Sequence, residues 1–491
     1  MKAERPFSPA LWEHTPAAVQ EDIRALETRV MALETAVQRL EATVQQLTEP
    51  LRQDSRTSSR PPSSDPPPAI GKRPRREPSG RRPGGQPGHA GRTRALRPVE
   101  EVDVIIPVKP TRCWRCQQPL RGDDPQPQRP HVTEIPPAQP VVTASQLHRV
   151  VCPACGELSR GERPPGLPSG ACGPRVQAIA ALCTGAYHLS KRTTQSVLEA
   201  LFGGSMRLGT LANLAQATGQ AVAAPVAAAR SAVPQPPVAS LEETGWREGP
   251  HRAWLWTAVT AWVTVFVVRR SRRGQVAQAL LGERFWGWLV TDRWSGSSWY
   301  PTWRRQFCWA HLVRDIEAMI ERGGRSQAIG EALRDQARKM FHGWHRVCDG
   351  TRAHASVARS MRPVRREVER RLEAGQTCGV PKTAGVCREM LQRRQALWTF
   401  MRHDGVEPTN NAAERAIRPG VLWRKGSVGT QSPEGSRLVE AMMTVVTTLT
   451  QQHRHVLDDL TAAYEATWRG DSAPALLPTS DHLIELLHPA A

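Results

Sequence analysis

The chain has 491 residues, with 66 Lys plus Arg against 46 Asp plus Glu for a formal charge of +20. That length exceeds what one hydrophobic core supports, so several domains are expected, and the basic excess points to a polyanion, nucleic acid first. The opening Met1-Lys2-Ala3-Glu4-Arg5-Pro6 lacks the apolar core of a signal peptide, and the longest apolar run, Ala253 to Val268, is 16 residues broken by three threonines. Both argue against export or a membrane span and for a cytoplasmic protein, in which the ten cysteines are metal ligands or reduced thiols before disulfides.

The first element is a helix over residues 19–47, where Val19, Ile23, Leu26, Val30, Leu33, Val37, Leu40, Val44 and Leu47 alternate steps of four and three. With Ile23 at position a, every a is Ile or Val and every d is Leu, the pattern of a parallel two-stranded coiled coil. Residues 1–50 are therefore read as a dimerisation helix, against the plainer alternative of one amphipathic helix packed on its own chain. Residues 51–100 follow as a linker and DNA-binding arm. Between Arg52 and Pro98 stand 12 basic and 3 acidic residues and ten prolines, with no apolar period that could build a core. Lys72, Arg73, Arg75, Arg76, Arg81, Arg82, Arg92 and Arg94 are its phosphate-contact candidates, and the Gly-rich stretch around Gly84-Gly85-Gln86-Pro87-Gly88-His89 would let the backbone follow DNA closely.

Residues 101–165 hold Cys113-Trp-Arg-Cys116 and Cys152-Pro-Ala-Cys155, 35 residues apart, with strands expected at Val132 to Ile135 and Val141 to Val151. Two such turns held by strands suit one structural Zn²⁺ on four thiolates, a zinc-ribbon-like domain. Residues 166–235 are expected to be helical. Leu189 to Phe202, Gly203-Gly204 and a second helix from Leu208 with a Thr210 cap form either a helix-turn-helix or an ordinary helical hairpin.

Residues 236–470 change pattern. Strands are expected at Val238 to Glu243, Ala253 to Val259, Trp262 to Val268 and Phe285 to Thr291, with a helix at Gly274 to Leu281 before the last. This order matches a ribonuclease-H-like sheet, in which acids on the first and fourth strands converge on one edge; Glu242 and Asp292 hold those positions. The 121 residues between Asp292 and Glu414 read as a helical insertion over about 310–400, and 471–491 as a C-terminal tail.

Glu414 stands in Thr409-Asn410-Asn411-Ala412-Ala413-Glu414, followed by Arg415, Arg418, Arg424 and Lys425. An acid among cations suits a metal held against a phosphate backbone; the competing reading makes Asn411 a helix cap and Glu414 the third residue of a capping box. Cys308 and His311, three apart, either order an active site or are packed side chains. Trp294, Trp299, Trp303 and Trp309 follow Asp292 and are read first as core, second as stacking platforms for an extruded base.

Seven blocks in order give the chain a resemblance to transposases of the bacterial insertion sequence 66 family. They are Gly84 to His89, the two cysteine turns, Gly209-Thr210-Leu211-Ala212-Asn213, Glu243-Thr244-Gly245-Trp246, Thr291-Asp292-Arg293-Trp294-Ser295, Cys308-Trp309-Ala310-His311-Leu312, and Thr409 to Gln431. The resemblance implies a multidomain α/β transposase of the Asp-Asp-Glu type. Two Mg²⁺ (or Mn²⁺) ions on Glu242, Asp292 and Glu414 would support cleavage of element ends and strand transfer into target DNA, with companion proteins of the same element as further partners and a nucleoid location. The family pattern has Asp where this chain has Glu242. One extra methylene, on the order of 1.5 Å, leaves two expectations open: a working enzyme, or an impaired remnant that only binds DNA or represses relatives.

Overall fold

The computed structural model describes residues 9–52, 95–163, 170–204 and 206–479. The basic-arm residues Lys72 to Arg94 and the last twelve residues of the expected C-terminal tail lie outside them. The helix Ala17–Arg52 runs over the predicted heptads, and Leu26, Val30, Leu33, Val37, Leu40 and Val44 along its seam are exposed on the single chain.

Around the cysteine turns, two short strands, β1 (Arg149–Val151) and β2 (Leu158–Arg160), pair antiparallel and bracket the second turn. The expected strand at Val132 to Ile135 does not form, and of Val141 to Val151 only the last three residues are a strand. Val132, Ile135, Val141 and Val142 are exposed: β-branched residues favour a strand only where a partner and a covered face exist.

The rest is organised by a five-stranded mixed sheet. β3 (Val238–Glu248), β4 (His251–Thr260), β5 (Thr264–Arg269), β6 (Trp288–Thr291) and β7 (Arg305–Phe307) lie in the order β5-β4-β3-β6-β7. β3 and β5 run antiparallel to β4, whereas β6 and β7 run parallel to β3. The third strand begins at Thr264 rather than Trp262, and β7 was not anticipated. Its three residues, Arg305, Gln306 and Phe307, carry no alternation to read, yet all are buried.

Alternation along the strands gives the sheet two apolar faces. Ala239, Leu241, Trp256, Ala258, Val265 and Val267 face the helices Pro174–Gly185, Ala223–Ala232, Gly274–Leu281 and Val456–Arg469. Trp246, Leu255 and Phe266 face the helix Asn411–Ser427, where Gly420 permits the approach because a Cβ there would collide with the Leu255 side chain.

The helix Pro433–Gln451 does something further: it completes the open edge of β5. Val268 N donates to Glu440 Oε1 at 2.7 Å, Phe266 N to Thr444 Oγ1 at 3.1 Å and Thr264 N to Thr448 Oγ1 at 3.1 Å. Four helical residues rise about 6 Å and two strand residues about 6.6 Å, so acceptors one turn apart match outward N–H groups two residues apart.

Beyond β7 a run of helices builds a second core, to which Val290 of β6 and Phe307 of β7 also belong. Helices Trp309–Glu321, Gly324–Cys348, Arg362–Gln376 and Pro381–Gln392 enclose Ile316, Met319, Leu333, Met340, Leu372 and Met390. Upstream, Lys191–Phe202 ends at Gly203, left-handed at φ 63°, and Leu208–Ala221 follows. Ser190 caps the first helix through Thr193 N; the second begins at Leu208 with no side-chain cap, so Thr210 lies inside it instead of capping it.

Candidate active site at the end of the sheet

Glu242 lies in β3 on the face turned toward Asn411–Ser427. The parallel register pairs Ser240 with Val290, so two residues further along each chain Glu242 and Asp292 come abreast, Asp292 just beyond the end of β6. Glu414 enters from the first turn of the helix Asn411–Ser427. The three carboxylates feel one another: burial pushes the Glu242 carboxyl well above the usual range, and the charges of Asp292, Glu243 and Glu414 push it further in the same direction. Like charges crowded in a poorly solvated place favour a shared proton or a cation between them.

Asn410 organises this corner. Its Nδ2 donates to Glu242 Oε2 at 2.7 Å and to Leu241 O at 2.8 Å, while its backbone N–H donates to Cys308 Sγ at 3.1 Å. Its Oδ1 is buried with no donor among the described residues. This corrects the capping-box alternative: the cap position is Asn410, not Asn411, no side chain caps the helix, and Glu414 is left to face the site.

Glu414 Oε1 lies 3.9 Å from Cys308 Sγ and 3.4 Å from His311 Nδ1, and the ligand atoms of these three residues all lie within 4.8 Å of one another. Among the described residues this is the group of Cys, His, Asp or Glu side chains close enough to share one ion. Glu242, Asp292 and Glu414 are electrostatically coupled without forming such a group, and the four cysteines of the two turns do not form one either. Each turn is nonetheless closed in the same way. Gln117 N and Gly156 N donate back to Cys113 O and Cys152 O, and backbone N–H groups lower the Cys113 and Cys152 thiols below their usual range.

Glu243, the next residue on β3, faces the opposite side of the sheet, where Arg272 holds its Oε1 at 2.7 Å. Burial, then Asp292, raise its carboxyl to about 7. Arg293, next to Asp292, reaches to Asp315 at 2.8 Å and Glu389 at 2.5 Å and so ties the loop carrying the acid to two helices of the insertion. Asp292 Oδ1 accepts from Trp294 N at 3.0 Å.

Of the cations expected to meet DNA in this region, Arg415, Arg418 and Lys425 are exposed. Arg424 is half-buried and donates from Nη1 to Gly245 O at 2.9 Å, which clamps the helix to β3. Among the tryptophans, Trp309 is core and donates to Leu397 O, whereas Trp303 is exposed beside Trp286 with the Arg304 guanidinium against both rings. Asn410 and Arg293 escaped the sequence reading as support for the acids. Their signal was adjacency to the motif acids, which does not specify a side chain's direction.

A family model described as Transposase IS66 family matches residues 169–438, more than half of the chain. The chain belongs to the IS66 transposase family. The span that marks it as an IS66 transposase includes Glu242, Asp292 and Glu414 and begins after both cysteine turns. A second model, described as Family of unknown function (DUF6444), matches residues 13–95. A curated relative, uncharacterized protein y4qI of Sinorhizobium fredii, is 29% identical over 184 residues, 35% of this chain and 33% of the relative, so the chain spans about a third of that relative's length. No helix among the described residues is long and apolar enough to cross a membrane.

Proposed function

We propose that this IS66 family member binds the ends of its insertion sequence and catalyses metal-dependent phosphodiester cleavage and strand transfer through Glu242, Asp292 and Glu414. The observation that carries this reading is the approach of three carboxylates from separate segments, with Glu242 destabilised as an anion first by burial and then by the charges of Asp292, Glu243 and Glu414. The donor set consists of hard oxygens, and the buried Asn410 Oδ1 beside it adds an unfilled acceptor, which suits Mg²⁺ or Mn²⁺. Divalent ions held there supply activation of a hydroxyl nucleophile and stabilisation of the leaving oxygen. The protein's own part is to hold Glu242 through Asn410, to fix the Asp292 loop through Trp294 N and Arg293, and to present Arg415, Arg418 and Lys425 to phosphates.

Four further parts belong to the same reading. The strand order, with its antiparallel second strand and parallel fourth and fifth, supports a ribonuclease-H-like catalytic domain over 236–470 with a helical insertion over about 310–400. The exposed heptad seam supports a coiled-coil homodimer through residues 1–50. The matched closure of the two cysteine turns supports one structural Zn²⁺ in 101–165. The arm in 51–100 and the helices of 166–235 supply further DNA contacts.

The test is Mg²⁺-dependent cleavage and joining of DNA carrying the ends that flank this gene, with the natural protein, Glu414→Ala and Glu242→Asp. Activity in the natural protein that disappears in Glu414→Ala supports the reading. Activity confined to Glu242→Asp would mark a disabled copy that only binds DNA. Activity unchanged in Glu414→Ala would sink the site assignment.

A further inference from the structure

Cys308, His311 and Glu414 make a ligand set of a different chemical character from the three carboxylates. Cys308 occupies the cap position of the 13-residue helix Trp309–Glu321, where its carbonyl, not its sulfur, accepts from the His311 N–H at 3.1 Å. The sulfur accepts from the Asn410 N–H, on a separate segment, at 3.1 Å. That donor favours a thiolate, yet burial and the neighbouring Glu414 carboxylate oppose the bare anion. His311 is 9% exposed, and its Nδ1 makes no hydrogen bond although it lies 3.4 Å from Glu414 Oε1. A buried ring nitrogen 3.4 Å from a carboxylate yet without a hydrogen bond, beside a buried thiol, is a place where a cation would give all three groups a common partner.

The spacing fits one. Tetrahedral coordination with metal–sulfur near 2.3 Å and metal–nitrogen or metal–oxygen near 2.0 to 2.1 Å separates neighbouring ligand atoms by about 3.3 to 3.6 Å. The observed 3.4 Å and 3.9 Å come within a few tenths of an ångström of these values, and the remaining sulfur–nitrogen pair lies within 4.8 Å. Sulfur and imidazole select a borderline or soft ion over Mg²⁺.

We propose that Cys308, His311 and Glu414 bind a divalent transition ion, with Zn²⁺ as the representative species, at a site distinct from the carboxylate site and sharing Glu414 with it. Binding converts the Cys308 thiol to a metal-bound thiolate and releases its proton to solvent. Three protein ligands leave a fourth position for water. While the ion is bound, Glu414 is withheld from Glu242 and Asp292, so Zn²⁺ inhibits the Mg²⁺-dependent reaction. Binding itself is independent of the catalytic reading; the inhibition rests on it.

The probe is Co²⁺ added to the full chain, read by thiolate-to-cobalt charge-transfer absorbance and by tightly bound metal per chain. The natural protein is compared with Cys308→Ser and His311→Gln, each checked for its thermal melting transition. The cysteine turns contribute equally to all three proteins, so the difference reports this site. Cys308→Ser is expected to lose one equivalent of cobalt with its share of the absorbance, and His311→Gln to bind that equivalent at least about tenfold more weakly. Identical stoichiometry and spectra in all three overturn the site. Should Cys308→Ser fail to melt cooperatively, His311→Gln decides alone. In the DNA assay, Zn²⁺ inhibition is expected to weaken at least about tenfold in His311→Gln relative to that variant's own zinc-free rate. Undiminished inhibition together with lost cobalt overturns the competition for Glu414. A natural protein that binds cobalt here but cuts no DNA would sink the catalytic reading and leave the metal site standing.

Discussion

Valine and isoleucine meet opposite fates in two parts of this molecule. In residues 95–163, Val104, Ile106, Val108, Val132, Val141 and Val142 are exposed, and order is local: two cysteine turns, each closed by its own backbone hydrogen bonds, and a pair of three-residue strands. In residues 206–479, Val263, Val265, Val267 and Leu289 are buried between a sheet and its helices. The same residue types with the same strand propensity form a five-stranded sheet in one case and only a pair of three-residue strands in the other. What differs is the presence of a second layer, which is where the stabilisation from apolar burial arises. The Zn²⁺ proposed above for the four cysteines would supply the cysteine region with another source of order.

The sharpest way to break this comparison is to remove that metal. Chelation, or Cys113→Ser with Cys152→Ser, is expected to open residues 95–163 to limited proteolysis while 206–479 stays protected; equal protection in both regions would refute the contrast. A smaller effect is expected from Asn410→Ala, which leaves the core of the sheet intact but frees Glu242. Mg²⁺-dependent cleavage should fall about 10- to 100-fold, the usual effect of losing a residue that orients a metal ligand, with thermal stability little changed. Thr444→Val keeps the side-chain volume but leaves Phe266 N without its acceptor, so denaturant unfolding should show a loss of about 1–3 kcal/mol. A Thr444→Val protein as stable as the natural one would show that the β5 edge is held by packing alone.

The smallest expected effect is a pH slope at Glu243. Its carboxyl is raised from 4.5 to about 7 in the folded protein, so the folded state keeps a proton that the unfolded chain has already lost. That contribution to stability is complete below pH 4.5 and is lost as pH rises through 7. In metal-free buffer, the melting temperature of the natural protein relative to Glu243→Gln should fall across this window; a flat difference would mean that Arg272 keeps the carboxylate ionised.

Much of the sheet was legible because its strands are long and apolar. Val238 to Glu243, Ala253 to Val259 and Trp262 to Val268 carry β-branched and aromatic residues that a helix would not favour, and the helix Gly274–Leu281 was read at its observed bounds, whereas the strand expected from Phe285 begins only at Trp288. β7 was not legible, since a charged, a polar and an aromatic residue in a row show no period, and the acceptors of the buried Arg305 Nη2, Thr291 Oγ1 at 3.0 Å and Asp292 O at 3.5 Å, come from another strand end. At the site, the three acids could be named from motif blocks, but the role of Asn410 could not. Asn410 and Asn411 are equally good caps on paper, and the choice between them is made by Glu242 and Leu241, far away in sequence. Local rules predict which residues can end a helix; only the fold decides which of them is needed elsewhere.

The sealing of β5 also sets a timetable. The strand leaves the ribosome 172 residues before Glu440. At roughly 5–20 residues per second, its outward N–H groups wait on the order of 10–30 s for their acceptors. During that interval the half-made sheet presents an open hydrogen-bonding edge to any other nascent strand nearby. Yield during synthesis, more than the stability of the finished protein, is thus where damage to Glu440, Thr444 or Thr448 should first be felt.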